Sequence, residues 1–482
     1  MPSRPPPFDN DGELPEVRNE SQHSDNQGGH SRDPNYLFRR AIAVGAVVAV
    51  IATGAIVAGR LIGGDESSTS SGGVPNDWNR VVLVNERTGQ LLVNDADGET
   101  KLRISTDARL PTDIEVVDTM LMLSTPDQVA IVDLSDESVE LLDLETNADG
   151  VTMPSGSALT LIAADTSGQR AVIGHGPTQE QLDTDFFAPV TGARYDFGLT
   201  RSDPSGRHLL VTDSGNFQSV LFSFDRDEPS FFPGLALAVN EELVVTAQNV
   251  GNDATVSVFD HAGEQISSGR TPSVRAAMIA GNQVVLVTAD GEVLSLSASS
   301  GNVSSGDQLE IGTVQVGHVA TSGDRLIVVG SAGTAIISTN GNILGEFEGA
   351  ALHDTGLDKL APRRSRCLVL SRSSAREILL VDMEDGSTVA EAPVSGTTFA
   401  SADGCTAAAT TPDGFEMITA DGNTADEVEG DIAALSPDGA AVVAEDSGRL
   451  NLVQTSTGSA STDPATAVDM GRSGQLLSFA QL

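Results

Sequence analysis

From Trp78 to its end the chain returns to one pattern: an apolar strand, a tight Gly, Asp or Asn turn, a second strand, another turn and a third strand. The clearest copies are VVLVNERTGQLLVNDADGETKLRI from Val81, MLMLSTPDQVAIVDLSDESVELLDL from Met120, VVLVTADGEVLSLSASSGNV from Val284, LIVVGSAGTAIISTNGNILGEF from Leu326 and CLVLSRSSAREILLVDMEDGSTV from Cys367. Weaker copies begin near Arg170, His208, Glu242, Cys405 and Ala440, and most successive starts lie about 34 to 42 residues apart. A unit of that size with two apolar faces cannot bury itself, so neighbours must stack. A period of about 40 residues built from short strands is that of propeller blades. The expected fold is all-β: a β-propeller, a single ring of eight or more blades of about 40 residues. Counting strand starts gives about ten units, which leaves two other arrangements open: two propellers in one chain, or a ring in which some weak copies are not blades.

Before many copies stands a further turn, as in Asp203-Pro-Ser-Gly206, Ser322-Gly323, Asp403-Gly404 and Ser436-Pro-Asp-Gly439, which would link an innermost strand to the apolar strand. The Ser-Pro-Asp-Gly form resembles the turn of WD40-like and quinoprotein-like propeller repeats. The resemblance covers most of residues 78–482 and implies the architecture. It implies no chemistry, because the chain has no Trp-Asp dipeptide and Trp78 is its only tryptophan. The segment Gln475 to Leu482 reads as another copy of the apolar strand with nothing after it, whereas the copy at Val81 lacks a strand before it. Strands from both ends would then seal the ring and remove the open edges.

Ahead of the repeats, Ala41 to Gly59 is an uninterrupted apolar run preceded by Arg39 and Arg40 and followed by Asp65 and Glu66. At about 1.5 Å per residue it reaches roughly 28 Å, close to the roughly 30 Å of a bilayer core. The arginine pair on its N-terminal side puts that side in the cytoplasm. Residues 1–38 therefore read as a disordered cytoplasmic tail, 39–63 as a single-pass transmembrane helix, 64–77 as a linker and 78–482 as an extracytoplasmic propeller in the cell membrane. A cleaved signal peptide fits less well, because a long polar stretch precedes the arginines and the apolar core exceeds the usual 7–15 residues.

The net charge of −41, from 68 acidic and 27 basic side chains, makes a surface that repels nucleic acid. Such acidity is also what the general proteome of a salt-tolerant or high-GC bacterium would give. The two cysteines, Cys367 and Cys405, begin equivalent strands of successive copies, and the proposed fold brings them together where a disulfide persists. Two inert buried thiols, or a redox pair that lacks the CxxC spacing, are the other readings.

Aromatic residues make up only 4% of the chain, yet Phe186, Phe187, Tyr195, Phe197, Phe217, Phe222, Phe224, Phe231 and Phe232 gather in one region. The segment GPTQEQLDTDFFAPVTGARYDFGLT within it fits no strand template. As an inserted loop it would offer Phe186, Phe187, Tyr195 and Phe197 to a partner, since aromatics dominate interface hot spots. The same rings could equally fill a gap between two irregular blades. Arg363, Arg364 and Arg366, with Arg372 and Arg376, form the one basic cluster, either an anion-binding site or a set of partners for nearby carboxylates.

No catalytic, metal-binding or cofactor-binding motif is found: the histidines are scattered, and NDADG and MEDG, at Asn94 and Met383, sit where hairpin turns are required. The expectation is a non-enzymatic scaffold or binding module of the cell envelope, with no cofactor, whose partner is a membrane or envelope protein. The alternatives are a propeller enzyme of lactonase, lyase or quinoprotein type with its site at the central channel, and a transmembrane sensor.

Overall fold

A computed structural model describes residues 78–480 apart from breaks, the longest of them at 177–194, 353–365, 421–429 and 455–466. The tail at 1–38, the membrane span at 39–63 and the linker at 64–77 lie outside the described residues. No helix among the described residues is long and apolar enough to cross a membrane.

The described residues form thirty-eight strands in ten antiparallel sheets, eight of four strands and two of three. We number the sheets along the chain. Sheet 1 holds Arg80–Asn85, Gln90–Asp95 and Thr100–Ser105; sheets 2 to 10 follow with first strands Asp113–Val117, Asp149–Ser155, Tyr195–Ser202, Leu235–Val239, Val274–Ala280, Val314–Val319, Ala351–Leu352, Thr398–Ala400 and Asp431–Leu435. Strands within a sheet meander in sequence order, as short Gly- and Asp-rich turns dictate. The first strands of sheets 4 to 7 run beside one another, which makes them innermost.

Alternation along the second strands explains the stacking. In Arg80–Asn85, Val82 and Val84 pack with Leu121 and Leu123 of sheet 2, whereas Val81 and Leu83 pack with Ala441 and Val443 of sheet 10. In sheet 7, Leu326 and Val328 face sheet 6 while Ile327 and Ile336 face sheet 8. Successive side chains point to opposite faces, and here both faces are buried, so the strand reads as a continuous apolar run. Equivalent clusters join sheets 4 to 5, 5 to 6, 8 to 9 and 9 to 10. The last sheet packs on the first in the same way, and this face-to-face stacking of small antiparallel sheets is that of a β-propeller. At the inner rim sheets 6 and 7 come so close that a Cβ on Gly317 would collide with Ala276.

Closure differs from the sequence expectation in one respect. Gln475–Ala480 is not a further second strand: it pairs antiparallel with Arg80–Asn85, from Arg80↔Ala480 to Asn85↔Gln475, and takes the innermost place of sheet 1. Inner and second strands are both apolar, so hydrophobic pattern alone does not separate them. Trp78 sits over the seam, its ring edge-on to Phe479 at 4.9 Å and its Nε1–H donating to Asp438 Oδ1 at 3.0 Å.

The recurrent turn into the second strand has a local cause. The side chains of Asp203, Ser401 and Ser436 each accept the N–H of the residue five positions on, at 2.8, 3.0 and 2.9 Å. Their own N–H groups donate back to the carbonyls of His208, Thr406 and Ala441. All three side chains are buried, so the small acceptor satisfies a donor that water does not reach. Cys367 and Cys405 form a disulfide with a Cα–Cα separation of 4.9 Å, tying the start of Cys367–Arg372 in sheet 8 to the turn of sheet 9.

Candidate functional site

Sheet 4 carries the feature that packing alone does not explain. Its strands His208–Asp213 and Gln218–Ser223 are joined by a four-residue turn organised by Asp213. Asp213 is buried; its Oδ1 accepts the N–H groups of Gly215 and Asn216 at 3.0 and 3.2 Å, and its Oδ2 accepts the side-chain amides of Asn216 and Gln218 at 2.7 and 3.1 Å. The turn ends at Phe217, whose carbonyl accepts the Gly234 N–H at 3.2 Å. Phe217 has φ of 54° and is 79% exposed.

The same turn recurs in sheet 1, where Asn85 Oδ1 accepts the N–H groups of Arg87 and Thr88 and the left-handed closing position is Gly89. In sheet 8 that position is Arg376. Glycine adopts this conformation freely, whereas a side chain there costs roughly 1–2 kcal/mol. An exposed phenyl ring also forgoes the roughly 2 kcal/mol that burial would return. Phe217 therefore combines a left-handed backbone with an exposed phenyl ring, on a turn that Asp213 holds from beneath. Val250, at the corresponding hairpin of sheet 5, is 78% exposed, and Phe231 on the outer strand of sheet 4 is 45% exposed.

The aromatic region of the sequence is thus divided. Phe222 and Phe232 are buried, and Phe232 meets Phe259 of sheet 5 edge-on at 5.4 Å, filling the space between blades. Phe186 and Phe187 lie outside the described residues. Tyr195 and Phe197 belong to the first strand of sheet 4, Tyr195–Ser202, which corrects the expectation that this stretch fits no strand. A register shift between Asp196 and Arg201 breaks the alternation that would have shown it.

Of the basic cluster, Arg363 and Arg364 lie outside the described residues and Arg366 is exposed. Arg372 donates to the Glu348 carbonyl of sheet 7 at 3.2 Å and to Glu377 of its own sheet at 3.1 Å, so this arginine is engaged within the protein and bridges two neighbouring sheets.

His208 and His261 stack edge-on at 4.5 Å between sheets 4 and 5, both buried, with His261 Nε2 donating to the Asn240 carbonyl at 2.9 Å. His318, on the innermost strand of sheet 7, is pushed down to about 4 by burial, with the positive charge of Arg201 adding to the effect. NDADG and MEDG are turns: Asp95 Oδ1 accepts the N–H groups of Asp97 and Glu99, and Asp382 Oδ1 that of Glu384. The Lys101 ammonium, 2.9 Å from Asp95, hydrogen-bonds that half-buried carboxyl and holds it below the usual carboxylate range. No group of three or more His, Cys, Asp or Glu side chains is placed to hold a metal ion among the described residues.

No family model matches the chain, and no curated protein matches it in sequence. Solved structures with a similar outline include the dihydro-heme d1 dehydrogenase NirN in complex with DHE, with a TM-score of 0.40 at 12% identity, covering 84% of this chain and 76% of that one. A eukaryotic initiation factor gives 0.41 at 12% identity over 72% and 94% of the two chains. Hsv2 of Kluyveromyces lactis gives 0.34 at 11% identity over 57% and 96%. These likenesses are of general outline, and the stacked-sheet architecture rests on the strand pairing and inter-sheet cores described above.

Proposed function

We propose that this protein is a non-enzymatic binding module of the cell envelope: a β-propeller held at the cytoplasmic membrane by residues 39–63, exposed on the outer side, and docking a membrane or envelope protein through the Phe217 turn. Phe217 carries the reading. A bulky apolar residue in a left-handed conformation, exposed on a turn that Asp213 holds from beneath, is suited to being covered by a partner. The Cys367–Cys405 disulfide supports an oxidising, extracytoplasmic location.

Cross-linking in intact cells followed by affinity capture, comparing wild type with Phe217→Gly, tests the proposal. Glycine fits the backbone at this position, as Gly89 does in sheet 1, so the variant folds. The expected result is one membrane or envelope protein captured by wild type and lost in the variant. Equal capture by both forms, or none by either, overturns the reading.

A further inference from the structure

Where sheet 10 meets sheet 1 there is an open cleft of about 600 Å³, lined among others by Trp78, Asn79, Arg80, Asp97, Asp438 and Gln454. Its volume is within the roughly 300–1,000 Å³ range of small-ligand sites. The only tryptophan of the chain forms part of its wall and is partly exposed. The indole is fixed twice, by its hydrogen bond to Asp438 and its edge contact with Phe479. Asp438 is itself held by the Ser436 hydroxyl at 2.6 Å and the Ala440 N–H at 3.0 Å. The aromatic surface is therefore preorganised.

The polar groups around it are mixed. Asp97 and Asp438 are acceptors; Arg80 is a donor, its Nη1 bound to the Asn79 carbonyl at 2.8 Å and its Nε buried with no partner; Gln454 is both. The charge of Asp95, also on the wall, is offset by Lys101. A cationic ligand would meet the Arg80 guanidinium, and an anionic one would meet the carboxylates and the field of a chain of net charge −41. A hydroxyl group donates to a carboxylate and accepts from a guanidinium or amide with no charge of its own. A sugar ring adds a face of C–H groups, which suits the negative face of an indole.

We propose that this seam cleft is a binding site for an uncharged saccharide, stacked on Trp78 with its hydroxyls shared between Asp97, Asp438, Arg80 and Gln454. The site is independent of the Phe217 turn, which lies on a different blade, and it stands whether or not a protein docks there.

Because Trp78 is the sole tryptophan, its intrinsic fluorescence reports the cleft directly in the full chain. The probes are neutral oligosaccharides of glucose, mannose and N-acetylglucosamine, with spermine as a cationic comparison. At least one oligosaccharide should give a saturable change in emission that survives raised salt. The double variant Asp97→Asn/Gln454→Ala, both exposed positions whose change leaves the core intact, should bind roughly ten- to a hundredfold more weakly while keeping the wild-type unliganded emission. No response to any oligosaccharide overturns the proposal. So does a response to spermine alone that salt abolishes, which would make the cleft a cation site, and so does unchanged affinity in the double variant.

Discussion

Phe479→Ala tests how the two ends of the repeat region are joined. Phe479 is buried among Val81, Leu83, Ala441 and Val443, and it is the aromatic contact of Trp78. Truncating a core phenylalanine costs about 3–5 kcal/mol, of which an edge-to-face pair accounts for about 0.5–1.5 kcal/mol beyond area. That loss falls on the strand joining the two ends of the repeat region, so the seam should open ahead of the rest. Amide hydrogen exchange reads this strand by strand. Protection in Arg80–Asn85 and Gln475–Ala480 should fall by roughly a hundredfold or more, while Gln283–Thr288 in sheet 6 changes much less. Phe415→Ala removes the same side chain from the core between sheets 9 and 10 and should leave Arg80–Asn85 less affected. Ending the chain at Gly474 goes further, leaving Arg80–Asn85 as an open edge, and should produce concentration-dependent association on gel filtration. Unchanged exchange of Arg80–Asn85 in Phe479→Ala would refute closure by this strand pair.

Four further outcomes follow from particular contacts. Replacing Cys367 and Cys405 with alanine removes the constraint on a loop of 38 residues, and the chain-entropy relation gives a loss of about 4 kcal/mol, measurable by chemical denaturation against the wild type with and without reductant. His318, held near 4 in the folded state against about 6.5 unfolded, binds fewer protons folded than unfolded; its contribution is intact above pH 6.5 and lost as pH falls towards 4, by about 3 kcal/mol, and His318→Gln should flatten the stability profile across that window. Asp213→Ala strips four hydrogen bonds from the Phe217 turn and should lower stability by about 2–4 kcal/mol, with NMR relaxation showing the turn newly mobile. Gly317→Val forces sheets 6 and 7 apart at their inner rim and should cost about 1–3 kcal/mol or more in thermal unfolding, whereas a wild-type melting temperature would mean the approach to Ala276 is looser than described.

The parts of this architecture written in local sequence are legible from the residues alone. The 40-residue period, the turn into each second strand and the placement of the two cysteines at equivalent points of successive copies each depend on a few neighbouring residues repeated at fixed spacing. The features that escape such a reading depend on long-range registry. Tyr195–Ser202 is hidden because its irregular pairing between Asp196 and Arg201 destroys the period of two. Gln475–Ala480 reads as a second strand because an inner strand can carry the same apolar composition, and only its pairing with Arg80–Asn85 gives its place. Phe217 stands in the aromatic region, but only the comparison of its turn with Gly89 shows what a phenyl ring costs there. A sharper signal is present in DSGNF, where an aromatic residue closes a turn that its counterpart NERTG closes with glycine. The seam cleft joins residues from opposite ends of the repeat region, Trp78 and Asp438, and no local pattern announces such a pairing.

The acidity of the chain yields a last test. With 68 acidic against 27 basic side chains, carboxylates outnumber the cations able to pair with them. The ion pairs formed, such as Lys101–Asp95 and Arg449–Asp469, are partly or largely exposed, where each is worth about 0–1 kcal/mol. Unpaired like charges instead oppose the compact state, and this repulsion is screened as the Debye length falls from about 8 Å at 0.15 M salt to about 3 Å at 1 M. The melting temperature should therefore rise as sodium chloride increases through that range. Sucrose, which stabilises by exclusion without screening, separates the two effects: an equal gain in sucrose and in salt would assign the rise to exclusion. Loss of stability with added salt would mean that ion pairs contribute more than mutual repulsion removes, and the charge balance of this chain argues against that.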